Sequence, residues 1–228
     1  MEAADMVPYT QILYLSVPQE QELESSTSDT GLAWSKALDV VEQSQGFVRL
    51  SWGRSPEDRS KVQLHTVRTT LAQHQNFLYS AAYDHILQLI QPFLIPDTKP
   101  FARHAPLKHF TPERRSPLSP STPVTGSAVY VSTDVTWHEG AWPLWTHIVR
   151  HVPGCIGIVG GELVEQVDGK SNCYLVYVGW ESIKAHEDYH HTKHFASRRV
   201  VLGLGNDGYR EYGHMVFEGE RVKPGVKL

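Results

Sequence analysis

The sequence predicts an α+β protein of two ferredoxin-like repeats in tandem, and three observations carry that prediction. The chain of 228 residues is similar to itself. Each half presents strands and amphipathic helices in the order β-α-β-β-α-β, the ferredoxin-like plan. A basic, proline-rich stretch separates the halves: residues 96–127 hold seven of the 14 prolines together with Lys99, Arg103, Lys108, Arg114 and Arg115.

The repeat is visible in two blocks. LAWSKALDVVEQSQGFVRLSWG laid over GAWPLWTHIVRHVPGCIGIVGG matches Ala33 with Ala141, Trp34 with Trp142, Val41 with Val149, Gly46 with Gly154 and Gly53 with Gly161. VQLHTVRTTLAQHQNFLYSAAY laid over YLVYVGWESIKAHEDYHHTKHF matches Leu71 with Ile183, His74 with His186, Phe77 with Tyr189 and Tyr83 with Phe195.

Each element follows from its pattern. The first strands are YTQILYLSV and AVYVSTDV. Amphipathic helices follow over 32–45 and 140–152, with Gly46 and Gly154 placed as C-caps. FVRLSWG and KVQLHTV are the next strands of the first half. CIGIVGGELVEQ and NCYLVYVGW are those of the second, joined by an Asp168-Gly169 hairpin turn. A second helix comes next in each half. A closing strand such as YREYGHMVFEG follows, and the early part of the proline-rich stretch has room for a short edge strand around His104–Phe110, since proline is tolerated at sheet edges. The boundaries expected are 1–110 for the first repeat, 111–126 for a linker and 127–228 for the second repeat.

Composition narrows the function classes. Hydrophobic residues make up 40%, enough for a sizeable core, and a net charge of −4 gives no electrostatic footprint for nucleic acid. The first residues, MEAADMVPYTQ, lack a basic and then an apolar region, and no later run has the length of a membrane span. A soluble cytoplasmic protein is expected, without nucleic-acid or membrane partners. Cys155 and Cys173 read as buried free thiols.

The chemistry concentrates in AHEDYHHTKHF, residues 185–195, which holds four of the 13 histidines. His186-Glu187-Asp188-Tyr189-His190 matches the HExxH pattern of zinc hydrolases, with Glu187 as base. A third ligand is required; Glu211 lies 21 residues on, but beyond the helix-breaking LGLGNDG. In a purely structural reading, His190 and His191 are solvated and His186 is a hydrogen-bonded histidine at the core edge. The third reading is metal-free acid–base chemistry. Histidine transfers protons near neutral pH, and a tyrosine hydroxyl beside it stabilises a developing enolate or phenolate oxygen. Tyr189 and His186, three apart, share a helix face.

VGWESIKAHEDYHHTKHF resembles the dimeric α/β-barrel superfamily, above all its antibiotic-biosynthesis monooxygenase branch. The residues that carry the likeness are Trp180, Glu181, Ser182, Ala185, His186, His194 and Phe195. The segment is also similar to the matching helix of olivetolic acid cyclase, a plant polyketide cyclase of that superfamily. The resemblance maps a catalytic Tyr to Tyr189 and a catalytic His to His194, with the spacing here one residue shorter. It implies a barrel formed within one chain by the two repeats, and heme-binding relatives exist in the superfamily. In the first half Phe77 and Ala82 stand where Tyr189 and His194 stand, so one working site per chain is expected.

Further candidates lie in the first helix of the second half, which carries Trp137, His138, Trp142, Trp145, His147 and His151. His147 and His151 form an i, i+4 pair without a further ligand. His65 and Tyr177 are paired by the repeat on central strands. No GxGxxG unit, phosphate loop or GxSxG elbow is present, and no cofactor or metal is expected. The expected function is a cofactor-free enzyme of secondary metabolism that cyclises or rearranges an apolar, polyketide-like molecule, in a chain that leaves room for a homodimer. A cofactor-free monooxygenase and a non-catalytic binding or stress-response barrel are the alternatives. His194 is the expected base, Tyr189 the oxyanion partner and His186 the positioning group. Trp180, Trp142, Trp145, His147 and Tyr177 are the expected substrate-binding residues.

Overall fold

The computed structural model describes residues 7–225, so the expectation drawn from MEAADM falls outside it. The chain divides into two compact units: residues up to Pro106 together with those from Glu218 onward, and Leu107–Phe217.

Unit 1 contains β1 (Tyr9–Ser16), α1 (Asp29–Glu42), β2 (Phe47–Arg54), β3 (Lys61–Arg68), α2 (Leu71–Leu78), α3 (Ala81–Ile90) and β4 (Phe101–Ala105). β3 pairs antiparallel with β1 and β2, and β4 with β1, giving the ferredoxin-like order β4-β1-β3-β2. α1 starts because the Ser28 side chain accepts a hydrogen bond from the Gly31 N–H. It buries Trp34, Ala37, Leu38 and Val41, one helical face, against Leu13, Leu50, Trp52 and Leu64 of the sheet.

Unit 2 contains β5 (Lys108–His109), β6 (Val124–Tyr130), a π-helical turn (Trp137–Ala141) running into α4 (Trp142–Val149), β7 (Cys155–Glu162), β8 (Tyr174–Trp180), α5 (Ile183–His190), α6 (Lys193–Arg198) and β9 (Tyr209–Val222). β8 pairs with β6 and β7, β6 with β9, and β7 with β5. The unit boundary falls inside β9, whose last residues belong with unit 1, where the Lys223 N–H reaches the Val48 carbonyl at 2.9 Å. Every residue of β8 is buried. Tyr174, Val176, Val178 and Trp180 join the core that holds the helices, so by strand alternation Leu175, Tyr177 and Gly179 face the other side. No helix among the described residues is long and apolar enough to cross a membrane.

The repeat is therefore structural, and several expected boundaries shift. α1 ends at Glu42 and α4 at Val149, so Gly46 and Gly154 are not C-caps. They sit in the turns entering β2 and β7, at φ of 73° and 86°, where left-handed backbone favours glycine. The Asp168-Gly169 turn has positive φ at both residues, as such a turn requires. The expected edge strand is two short strands, β4 and β5, one in each unit. The expected strand AVYVSTDV begins earlier, at Val124, because the ladder to β8 starts with Val124 opposite Trp180.

Residues 111–126 are not a free tether. Thr111, Pro117, Leu118 and Thr122 are buried, and the Thr111 hydroxyl oxygen accepts the Ile158 N–H at 2.9 Å. The Thr125 hydroxyl donates to the Pro117 carbonyl. Gly157 and Gly179 make room for this stretch: a Cβ at Gly157 would stand 2.3 Å from the Arg115 carbonyl oxygen, and one at Gly179 3.3 Å from Pro117. A Gly157→Ala substitution should then cost about 1–3 kcal/mol by overpacking. The check is the urea midpoint at unchanged m; an unmoved midpoint would show that the stretch is not seated there.

Candidate active site

Between the sheet and the helices of unit 2 lies a cavity of about 130 Å³, walled by Trp142 and Trp145 of α4, Trp180 of β8, His186 and Tyr189 of α5 and Tyr212 of β9, among others. Local pattern puts them there. Trp142, Trp145 and Val149 recur on one face of α4, and alternate residues of β8 face the helices.

Trp180 lies flat on His186, with ring centroids 4.7 Å apart and planes 17° from parallel. His186 Nδ1 is hydrogen-bonded to His214 Nε2 at 2.8 Å, and both residues are buried. The β6 backbone comes so close that a Cβ on Gly126 would stand 2.8 Å from His186 Cε1. Burial, helped by His190 and His214, pulls the His186 pKa down to about 3, so the ring is neutral near pH 7. His190 packs edge-on against His186 at 4.6 Å, and its pKa is lowered mainly by burial. Glu187 is exposed on the other side of α5, and the described residues contain no group of three or more His, Cys, Asp or Glu able to hold a metal ion. Within HEDYH, His186 and Tyr189 face the interior and Glu187 faces solvent.

The expected single helix over 185–195 is two helices. α5 ends at His190 and α6 starts at Lys193, capped by Thr192, whose hydroxyl accepts the Phe195 N–H at 3.0 Å and donates to the Tyr189 carbonyl at 2.7 Å. The break decides which side chains meet. On a continuous helix, residues five apart diverge by about 140°. Across the break, the Tyr189 hydroxyl lies 3.2 Å from His194 Nδ1. Burial pushes the Tyr189 pKa up to about 12, opposed by Arg198, so the phenol stays protonated as a donor. The pair borders an outer groove of about 450 Å³, lined also by His151, Val152, Ala185, Asp188 and Thr192. Tyr189 thus belongs to the walls of both spaces; His194, exposed, lines the outer one.

The structure brings together Tyr189, His194, His186, Trp180, Trp142 and Trp145. It does not bring in His147 or Tyr177. His147 is exposed, two positions from Trp145 and hence on the opposite side of α4, where its ring meets His151 at 5.4 Å. Tyr177 is fully buried, but strand alternation puts it on the sheet face away from the cavity. Sequence reasoning missed His190 as a wall residue, and it missed Tyr212 and His214. The signal for the last two was the alternation in YREYGHMVFEG, which puts Tyr212 and His214 on one face of the closing strand.

The equivalent place in unit 1 is filled. Arg68 stands where Trp180 stands, and it is fully buried. Its guanidinium donates to His74 Nδ1 and the Ser44 hydroxyl, each at 2.8 Å, and lies 4.1 Å from the Phe77 ring centroid.

A porphyrin does not fit the inner cavity, whose 130 Å³ is well under the ~300–1,000 Å³ of ordinary cofactor and drug sites.

Burial holds His65, His74 and His186 down at about 3, against 6.5 for an ordinary imidazole. Between those two values the unfolded chain binds protons that the folded chain refuses. Their stabilising effect is complete above about pH 6.5 and is lost as pH falls toward 3. The urea midpoint should drop across that window, and less steeply in a His186→Gln variant; an identical slope in the variant would contradict the assignment.

No family model matches the sequence, and no curated protein matches it. Solved structures do. An anthrone oxidase-like protein superposes with a TM-score of 0.69 at 13% identity, over 97% of this chain and 95% of that one. A candidate monooxygenase from Fusobacterium nucleatum gives 0.59 at 13% identity, over 100% of both chains. Chlorite dismutase from Candidatus Nitrospira defluvii gives 0.57 at 10% identity, over 95% and 93%. Likeness at these identities is likeness of fold alone: the chain shares the α+β fold of these proteins, ferredoxin-like in each unit.

Proposed function

We propose that this protein is a cofactor-independent acid–base enzyme that removes a proton from an apolar, polyketide-like substrate at Tyr189 and His194. The observation that carries this reading is the 3.2 Å contact between the Tyr189 hydroxyl and His194 Nδ1, at the border of an open groove and an aromatic cavity. The substrate's reacting carbon lies in the groove beside His194, and an apolar portion reaches the cavity behind Tyr189. When substrate binds, the Tyr189 hydroxyl turns from His194 to the substrate's carbonyl oxygen. The Nδ1 lone pair is then free to take the adjacent C–H proton. The electron pair of that bond moves onto the oxygen, where Tyr189 stabilises the enolate. Attack of the carbanion on a second carbonyl of the same molecule closes a ring, and His194 returns the proton to the new alkoxide. The likeness of ESIKAHEDYHHTKHF to a polyketide cyclase supports this outcome.

A second reading has the same residues and first step. The carbanion instead reacts with dioxygen, giving a hydroperoxide that loses water to form a quinone. The whole-chain likeness to an anthrone oxidase-like protein favours it. Oxygen uptake with anthrone separates the two readings.

His194→Ala should lower kcat by about 10²–10⁴-fold, the range of one acid–base group. Tyr189→Phe should lower kcat with a smaller change in KM, because its hydroxyl acts on charge that develops during reaction. If the double variant keeps full activity on the substrate found by screening, the pair is not catalytic and the chain is a binding barrel.

A further inference from the structure

The first repeat fixes the tautomer of a buried histidine whose equivalent in the second repeat faces different partners. His74 and His186 are equivalent, and each faces a second histidine on the closing strand of its unit. His74 lies 5.4 Å from His104, ring to ring, and His186 lies 5.1 Å from His214. At His74 the partners dictate the tautomer. Arg68 Nη1 is 2.8 Å from His74 Nδ1, and a guanidinium only donates. Nδ1 therefore accepts. The ring proton is on Nε2, which donates to the Tyr9 carbonyl oxygen at 2.9 Å. In unit 2 Trp180 takes the place of Arg68, and the atom facing His186 Nδ1 is His214 Nε2.

We propose that His214 does for His186 what Arg68 does for His74, making the His186 Nε2–H a neutral hydrogen-bond donor to a phenolate or enolate oxygen held in the aromatic cavity. In this arrangement His214 Nε2–H donates to His186 Nδ1, and His186 carries its own proton on Nε2. His186 is 8% exposed and lines the cavity, and its ring is hydrogen-bonded through Nδ1. The flat stack on Trp180 and the close approach of Gly126 hold the ring plane. A neutral imidazole keeps its proton while polarising an oxygen, which an imidazolium of ordinary acidity would surrender to a phenolate. The cavity is also of the right size for one ring: its 130 Å³ is close to the ~150 Å³ that admits benzene in an apolar protein core. His214 is then a positioning residue that acts through His186. The inference rests on the proposed reading of the site as one for enolate- or phenolate-type ligands, and it does not depend on Tyr189 and His194 being the reacting pair.

The test has two arms. Long-range nitrogen–proton NMR on protein labelled with ¹⁵N-histidine reads the tautomer of His186 without any substitution. Protonation at Nε2 is expected, and protonation at Nδ1 overturns the proposal. The second arm titrates 4-nitrophenolate, whose absorption band moves when its oxygen accepts a hydrogen bond. Binding with a shifted band is expected. His186→Phe should weaken binding about tenfold and abolish the shift, the size of one hydrogen bond to a charged acceptor. His214→Phe should do the same, whereas His214→Gln, whose amide N–H still donates to Nδ1, should restore both. Absence of binding by the native protein, or equal binding by the Phe and Gln variants, overturns the proposal. Because neither arm measures turnover, failure of the Tyr189–His194 mechanism would leave the nitrophenolate shift intact, and loss of the shift would leave that mechanism standing.

Discussion

The contact between the Trp180 and His186 rings is the constraint around which the second unit's site is arranged. Strand β8 ends with Trp180 turned toward the helices, and α5 begins three residues later, so His186 arrives one turn into the helix directly over the indole. A ring held between an indole face, a glycine backbone and a second imidazole has little freedom left. That rigidity costs the ring its charge, because burial makes the imidazolium unfavourable. Tyr189, one turn further on and 5.8 Å from Trp180, is held by the same wall. The side chains that define the cavity therefore stand on regular elements, with the positional precision that strands and helices confer on a site.

The first unit shows what a single exchange at that position does. With Arg68 in place of Trp180, the space beside the helix holds a guanidinium bonded to His74 and Ser44 and stacked on Phe77. Burial draws the Arg68 pKa down to about 10. A charge so deeply placed survives because hydrogen bonds and a ring face surround it. Phe77 has no hydroxyl, and Ala82, at the position of His194, is partly buried against the core. The two units share a fold, a helix break and a histidine pair, yet only the second has the tyrosine–imidazole contact. The helix break is common to both because Ser80 and Thr192 play the same part, each ending one helix and capping the next.

Much of this was legible in the sequence. The repeat, the order of the elements and the Asp-Gly turn follow from periodicity and turn residues, which are local properties of the chain. Phe77 and Ala82 opposite Tyr189 and His194 were enough to expect one site rather than two. Tertiary structure alone decided the rest, because it depends on which residues meet across elements far apart in sequence. His214 reaches His186 from 28 residues away, and no spacing rule connects a helix to the strand that closes its sheet. HEDYH as a string fits a zinc helix; packed under Trp180, its first histidine faces another histidine and its glutamate faces solvent. His147 and Tyr177 have the chemistry of binding residues, but the phase of α4 and the parity of β8 turn both away. The proline-rich stretch read as a tether, and it lies packed in unit 2 because Gly157 and Gly179 leave it room. Even the 3.2 Å contact that carries the proposed mechanism exists only because Thr192 interrupts a helix that composition alone would have continued.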